Sequence, residues 1–354
     1  MKIAILNDTH CGVRNSSDIF LDYQGKFYSD VFFPYLKENN IKHIIHLGDY
    51  YDHRKYVNFK AQNHNRQSFL NVLKSEGITM DIIPGNHDVF YKNTNDLCSL
   101  KELLGYYTVN VNIVMKPTVM DYDGCQMALV PWINSENYAD TVKFLQNCKA
   151  SVVGAHLELS GFEMYKGLKS THGMDSSLFS RFESVLSGHY HTKSSNGNIH
   201  YLGSQMEFNW ADVDDKKYFH IFDTESREIT PVHNPITLFR KVYYDDTKID
   251  YNTFDTAIFN NCFVKIIVVN KTEPFMFDKF LDRIQEHNIH ELKIAESFDE
   301  FLGDNVDDSS VILEDTTQLI DTYVDVVDTD LDKNRIKELM RGLYVEACNM
   351  DIAC

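Results

Sequence analysis

The sequence predicts an α/β protein organised around a parallel sheet, with antiparallel strands added later in the chain. Three observations carry this. Short apolar runs rich in β-branched residues recur from the N-terminus onward. Segments with helical spacing separate the early runs, and strand–helix–strand alternation implies parallel pairing. Further on, "DYDGC" (121–125) supplies the Asp-Gly turn of an antiparallel hairpin.

In chain order, strands are expected at Ile3–Leu6, Ile44–Leu47, Met80–Ile83, Asn112–Met115, Val119–Asp121, Met127–Pro131, Val152–Ala155 and Ser184–Leu186. More follow at Ile199–Leu202, Tyr218–Phe222 and Ile229–Val232. Helices are expected over Phe20–Glu38, Lys60–Glu76 and Asp96–Leu104, with Gly77 as the C-cap of the second. After about Pro235 the pattern restarts. Val264–Val269 and Leu292–Ala295 read as strands flanking a helix over Phe275–His287. The stretch "GDNVDDSS" (303–310) reads as an acidic linker, and helical spacing returns over about 313–327 and 331–348. The expected organisation is a domain over 1–235, a small α/β domain over 236–300, a linker over 301–312 and a terminal helical segment over 313–354.

Composition narrows the class. Of 354 residues, 43% are hydrophobic and 13% aromatic, enough for a large packed core. No apolar stretch approaches twenty residues, so no membrane span is expected, and "MKIAILNDTHCG" lacks the apolar core of a signal peptide. The seven Cys are scattered without a CxxC pair, which suits free thiols in a reducing cytoplasm. A net charge of −18 argues on its face against a nucleic-acid binder, but −11 of it falls within 299–354, leaving −7 on the first 298 residues.

Five clusters stand just past predicted strands, where sites form in open α/β sheets. They are "NDTH" (Asp8, His10), "GDYYD" (Asp49, Asp52), "GNHD" (Asn86, His87), "GAH" (His156) and "GHYH" (His189, His191). Singly, each reads as an ordinary turn or a satisfied core histidine. Together they supply carboxylate, imidazole and amide ligands for a two-metal centre, a set that suits Mn, Fe or Zn better than Mg or Ca alone. Period-two alternation would place both ligands of Asp-x-His, and both of His-x-His, on one side of an extended segment. Asp49, after Gly48, is the candidate bridging carboxylate.

These five clusters, in this order, resemble the signature of the calcineurin-like metallophosphoesterases over roughly residues 1–235. That resemblance implies a four-layer αββα sandwich. It places Asp8, His10, Asp49 and His191 on one metal, and Asp49, Asn86, His156 and His189 on the other. His87 would donate a proton to the leaving oxygen or stabilise the transition state, with the Asp52 carboxylate orienting it. Asp88 would anchor the turn. The implied chemistry is phosphoester hydrolysis by a metal-activated water, with two divalent ions, Mn2+ foremost and Mg2+ as the other choice.

The signature also serves protein phosphatases, cyclic-nucleotide phosphodiesterases and nucleotidases. His53 between Asp52 and Arg54, and Asp88 closing the third motif, count against a protein phosphatase. "GHYHTKSSNGNIHYLGS" (188–204) resembles SbcD-type DNA repair nucleases. "VPWINSEN", "GAHLELSGFEMYKGLKSTHG" and "FHIFDT" are more similar still to the recombination nuclease subunits of T-even-type bacteriophages. That branch implies a double-strand exonuclease and single-strand endonuclease with a DNA-selecting cap at 236–300. It further implies C-terminal helices that dock on an SbcC/Rad-type coiled-coil ATPase, a homodimer, and a cytoplasmic location, in the bacterial host if phage-encoded. Arg14, Arg54, Lys166, Lys169 and Lys193 lie near the motifs as candidate DNA contacts. A stand-alone enzyme acting on small phosphoesters is the alternative, and a non-enzymatic scaffold is a third reading that the complete ligand set disfavours.

Overall fold

In the computed structural model, the described residues are 1–107, 109–165, 168–170, 173–295, 324, 332–337 and 339–340. The chain opens with strands β1 (Lys2–Leu6), β2 (His43–His46), β3 (Thr79–Ile82) and β4 (Val111–Ile113). Next come β5 (Thr118–Tyr122), β6 (Cys125–Val130), β7 (Val152–His156) and a short hairpin, β8 (Glu163–Tyr165) with β9 (Leu168–Lys169). Then follow β10 (Ser184–Gly188), β11 (Ser194–Asn196), β12 (Ile199–Tyr201), β13 (Tyr218–Asp223) and β14 (Ile229–His233). A last group is β15 (Phe239–Asp245), β16 (Phe263–Asn270) and β17 (Glu291–Ala295).

Two six-stranded sheets result, ordered β14-β13-β1-β2-β3-β4 and β11-β12-β10-β7-β6-β5. Strands β1 to β4 are parallel, as are β6, β7, β10 and β12, while β13, β14, β5 and β11 pair antiparallel at the margins. Alternation along β1 explains the layering. Ala4 and Leu6 face a helical layer, whereas Ile3 and Ile5 face the second sheet. Leu129, Val152 and Leu186 of the second sheet meet them there. Central strands covered on both faces must be apolar throughout, which is why β1 and β2 read as continuous hydrophobic runs. The second sheet is backed in turn by the helix Tyr138–Asn147. The layers are therefore α, β, β, α.

The two long helices match their expected spans, but each contains a π-helical stretch, Phe27–Phe32 in 18–38 and Arg66–Leu70 in 59–76. Spacing alone does not distinguish i→i+5 from i→i+4 bonding over so few residues. Gly77 caps the second helix at φ 63°. The third helix is shorter than expected, Ser99–Leu104, because Cys98 is extended and bridges Val89. Asp81, inside β3, is buried and accepts from His43, Asn112 and Tyr122, so its carboxylate ties the two sheets together.

The small sheet β15-β16-β17 is parallel and packs the helix Pro274–Gln285 around its own core of Tyr244, Tyr251, Phe259, Val264 and Phe280. It belongs to the same compact unit as the sandwich. Leu238 and Phe239 join the core of the first sheet, and buried Glu207 accepts from the main-chain N–H of both. The expected linker lies outside the described residues, as does most of the terminal segment. Residues 333–337 are helical, and Leu339 and Met340 are exposed.

Burial pushes the Glu207 carboxyl up to about 7, against the pull of the two N–H groups. A carboxyl whose pKa is raised by folding binds more protons in the folded state. Its contribution to stability is therefore present below pH 4.5 and is lost as pH rises to about 7. Glu207→Gln, whose carbonyl oxygen can accept the same two bonds, should flatten the melting temperature between pH 5 and 8. It should also be more stable than wild type at pH 8.

Candidate metal centre

Sequence reasoning expected extended segments at the ligand motifs; the structure corrects this. Asp8 (φ 48°), His10 (42°), Asp49 (54°) and His189 (93°) all adopt left-handed backbone. Strand β1 ends at Leu6, and tight left-handed turns, not pleat alternation, bring the ligands of each motif together. Such conformations are strained for non-glycine residues and persist where surroundings over-determine them. Here the loops after β1 and β2 are laced together by Asp8 N–H to Gly48 O (2.9 Å), His10 N–H to Asp49 O (3.0 Å) and Cys11 N–H to Tyr50 O (2.8 Å).

The side chains form two adjoining clusters. In the first, His10 Nε2 lies 3.1 Å from His191 Nε2, and each lies 4.0 Å from Asp8 Oδ1. In the second, Asn86 Oδ1 lies 3.0 Å from both His156 Nε2 and His189 Nδ1. Asp49 Oδ2 belongs to both, 3.9 Å from His10 Nε2 and 3.3 Å from His156 Nε2. All seven sequence-predicted ligands thus converge, with Asp49 common to both clusters. Two of the clusters with metal-ligand spacing are Asp8–His10–His191 and Asp49–His156–His189.

The donor set fits divalent cations. Carboxylate oxygens, imidazole nitrogens and an amide oxygen face one another from buried or half-buried positions, an arrangement that a cation relieves. Asn86 is informative. With Oδ1 inward it is a neutral ligand. Turned over, its NH2 would donate to His156, His189 and Asp49, and its oxygen would meet Arg54 Nη2 at 3.3 Å. The first orientation suits a loaded centre and the second an empty one.

Supporting groups fix each ligand. His156 Nδ1 is 2.8 Å from Leu47 O, which directs Nε2 to the centre. Asp8 accepts from Asn7 Nδ2 and from His189 N–H. The outer oxygen of Asp49, Oδ1, accepts from His87 N–H at 2.8 Å. A Cβ at Gly85 would overlap that same oxygen, so only glycine lets the third motif approach. The expected anchor role of Asp88 holds: its carboxylate accepts from Gly85, Tyr50 and Tyr51 N–H.

Asp52 corrects the reading from resemblance. Its carboxylate does not orient His87; Oδ1 lies 3.3 Å from His10 Nδ1, and Oδ2 lies 3.6 Å from His53. It is the Asp52 main-chain carbonyl that meets His87 Nδ1, at 2.6 Å. The sharp turn through Tyr50–Asp52 points the side chain inward to a ligand and turns the carbonyl to the neighbouring imidazole.

Electrostatics reflect the crowding. Burial alone would depress His10 and His156, but Asp52 and Asp49 push His10 up, and Asp49 and Asp8 push His156 up, each to about 9. Burial holds His189 down to about 3 and lowers His87 and His191. Asp49 is held well below the usual carboxylate range: burial opposes this, and His156 and His87 overcome it. Metal binding at such a centre releases protons, because the ligand imidazoles must be neutral.

Lys217 was not anticipated. It is buried, donates to Asp212 (2.6 Å) and Asp215 (2.9 Å), and holds the His191 carbonyl at 3.1 Å. Trp132 stacks obliquely on His189 and Phe208 edges both His10 and His191, so aromatic walls flank the clusters. The acidic run around Lys217, "DVDDKK", was the one available sequence signal. Of the candidate DNA contacts, Arg14 is committed to Phe208 O at 3.0 Å behind the histidine wall. Arg54 stands at the rim, half-buried, and Lys193 is exposed over the Tyr218 ring. Lys166 lies outside the described residues, and for Lys169 only its place in β9 is described.

The calcineurin-like phosphoesterase family matches residues 1–193, which contain all five motifs. The chain belongs to the calcineurin-like phosphoesterases. Family membership implies phosphoester hydrolysis dependent on divalent metal ions. Exonuclease subunit 1 of Enterobacteria phage T4 is 32% identical over 351 residues, covering 98% of this chain and 99% of that protein. Among solved structures, an archaeal phosphodiesterase aligns over 66% of this chain and 100% of its own, with 15% identity and a TM-score of 0.35. A Pseudomonas putida nuclease, MPE, aligns over 65% and 87%, with 15% identity and a TM-score of 0.26. The assignment of this phosphoesterase rests on the family match and the near-full-length relative. Among the described residues no helix is long and apolar enough to cross a membrane.

Lys217→Met should cost about 3–5 kcal/mol of stability, because buried Asp212 and half-buried Asp215 lose their cation. The urea midpoint should fall accordingly, and a change below about 0.5 kcal/mol would show that Lys217 does not support this wall.

Proposed function

We propose that this chain is the metal-dependent nuclease subunit of an SbcCD-like recombination and repair complex, hydrolysing DNA phosphodiesters. The observation that carries the reading is near-end-to-end similarity to a phage exonuclease subunit together with a complete ligand set around a shared Asp49. Residues Asp8, His10, Asp49 and His191 would hold one ion, and Asp49, Asn86, His156 and His189 the other. Two divalent cations bound there, Mn2+ foremost, supply the positive charge that draws in a phosphodiester and makes water acidic enough to attack phosphorus.

The chain's own residues do the rest. His87 is held at Nδ1 by the Asp52 carbonyl, which leaves Nε2 to face the departing sugar oxygen. Burial lowers its pKa, so a proton on Nε2 is a strong acid suited to a poor leaving group. The negative phosphodiester favours loading of that proton. The Asp52 carboxylate orients His10 through Nδ1, so it acts as a positioning group. Arg54 at the rim can meet a flanking phosphate, and with Lys193, Lys166 and Lys169 forms the proposed DNA contacts.

The small sheet over 236–300 is the proposed DNA-selecting cap. The acidic linker and segment 313–354 are the proposed tether and docking element for a coiled-coil ATPase, within a homodimeric assembly in the cytoplasm. A strongly acidic chain of this kind would draw much of its DNA affinity from that partner. Alone it should bind DNA weakly and lose binding steeply with salt.

The test is cleavage of end-labelled double- and single-stranded DNA with Mn2+, with bis-p-nitrophenyl phosphate as a small diester. Asp49→Ala should abolish both activities. His87→Ala should lose about 10²–10⁴-fold. Asp52→Asn keeps the carbonyl on His87 and should lose only about 10–100-fold, through His10. Turnover of the small diester without DNA cleavage, even with an ATPase partner added, would move the enzyme to small phosphoesters.

A further inference from the structure

A second polar cleft lies away from the metal ligands, between the lateral edges of the two sheets. It encloses about 380 Å³ and is walled by β10 and β12 on one side and β13 and β14 on the other. Lys193, His200, His220 and Arg227 line it, with Glu183 as its one acidic side chain. That balance is notable in a chain carrying −18 overall.

The cleft also gathers unmet hydrogen-bonding capacity. Ser184 Oγ, both ring nitrogens of His220 and Arg227 Nη1 are buried without a partner, and all three residues line the cleft. These are four of the eleven such atoms among the described residues. Native proteins satisfy nearly all buried polar atoms, so four orphans lining one cleft from both sides mark a place built for a polar occupant. His220 is the sharpest case. It is 1% exposed, on the inner face of β13, and opposite Ile5 in the register. Burial, then the charges of Lys193 and His200, hold its pKa down to about 3, which places both groups electrostatically close to the ring. With Lys193, His200 and Arg227 lining the same cleft, an anionic occupant suits it.

We propose that this cleft binds a phosphate group, as carried by a nucleotide or a nucleic-acid strand. Arg227 and Lys193 supply the fixed charge, and His220 and Ser184 supply hydrogen bonds. The guanidinium is the better anchor, since it can hold two oxygens at once. Lys193 follows the candidate ligand His191 by two residues in the chain, and Arg227 lies in the turn between β13 and β14, so the cleft is lined from both sheets. The proposal does not depend on the nuclease reading, because its probe is phosphate itself.

The experiment uses the full chain in EDTA, so that metal-bound phosphate cannot contribute. Inorganic phosphate, thymidine 5′-monophosphate and a short oligothymidylate are titrated by calorimetry, with ring-¹⁵N histidine spectra recorded in parallel. The expected result is saturable binding that raises the His220 pKa. Arg227→Ala should weaken it about tenfold or more, and Arg227→Lys should recover part of the loss. Binding of the mononucleotide points to a free nucleotide as the occupant, and binding of the oligonucleotide alone points to a strand; either supports the site. Absence of binding by all three probes would overturn it. So would wild-type affinity in a folded Arg227→Ala variant, or phosphate that perturbs the ligand histidines and leaves His220 unmoved.

Discussion

The structure depends on the Asp49 carboxylate. One oxygen accepts from the His87 main chain, and the other lies between His10 and His156. Through these contacts a single residue fixes the spacing of the two ligand clusters and the place of His87, the proposed acid, relative to both. Its neighbours are arranged around that demand. Gly85 has no side chain where one would strike Asp49, and Gly48 (φ 90°) would bring a Cβ within 2.7 Å of His156 Nδ1. Asp49 itself pays in backbone strain, at φ 54°.

The sandwich makes this affordable in physical terms. Five ligand-bearing turns leave β1, β2, β3, β7 and β10, central strands buried on both faces and paired on both sides. Such strand ends move little, so left-handed turns can be held in place by main-chain bonds between neighbouring loops. Asp88 shows how dense this is. Burial and the Asp49 charge push its pKa up to about 7, although three N–H groups oppose the rise. The same low-dielectric setting that makes the centre costly to assemble strengthens its hold on cations.

Much of this was legible in the sequence, and the exceptions have reasons. The central strands announced themselves because burial on both faces leaves only apolar residues. The candidate ligands announced themselves because five motifs fell at strand ends in one order. What was illegible was how each motif turns. Asp-x-His does not state whether its two outer residues are extended or left-handed, and here both Asp8 and His10 are left-handed. Nor could spacing reveal that Asp52 would offer His87 its carbonyl and give its carboxylate to His10. Lys217 was hidden for another reason: its value lies in Asp212, Asp215 and the His191 carbonyl meeting in space. Likewise the polar cleft joins Ser184, His220 and Arg227 from strands and turns of two different sheets.

The central claim is that Asp49 holds two ions in one coupled centre. Electron paramagnetic resonance of the chain titrated with Mn2+ tests it most directly. The account predicts two Mn2+ per chain with an exchange-coupled spectrum, replaced in Asp49→Asn by weakly bound, uncoupled ions. A single Mn2+ per chain, or two ions whose spectrum is uncoupled in the wild type, would contradict it.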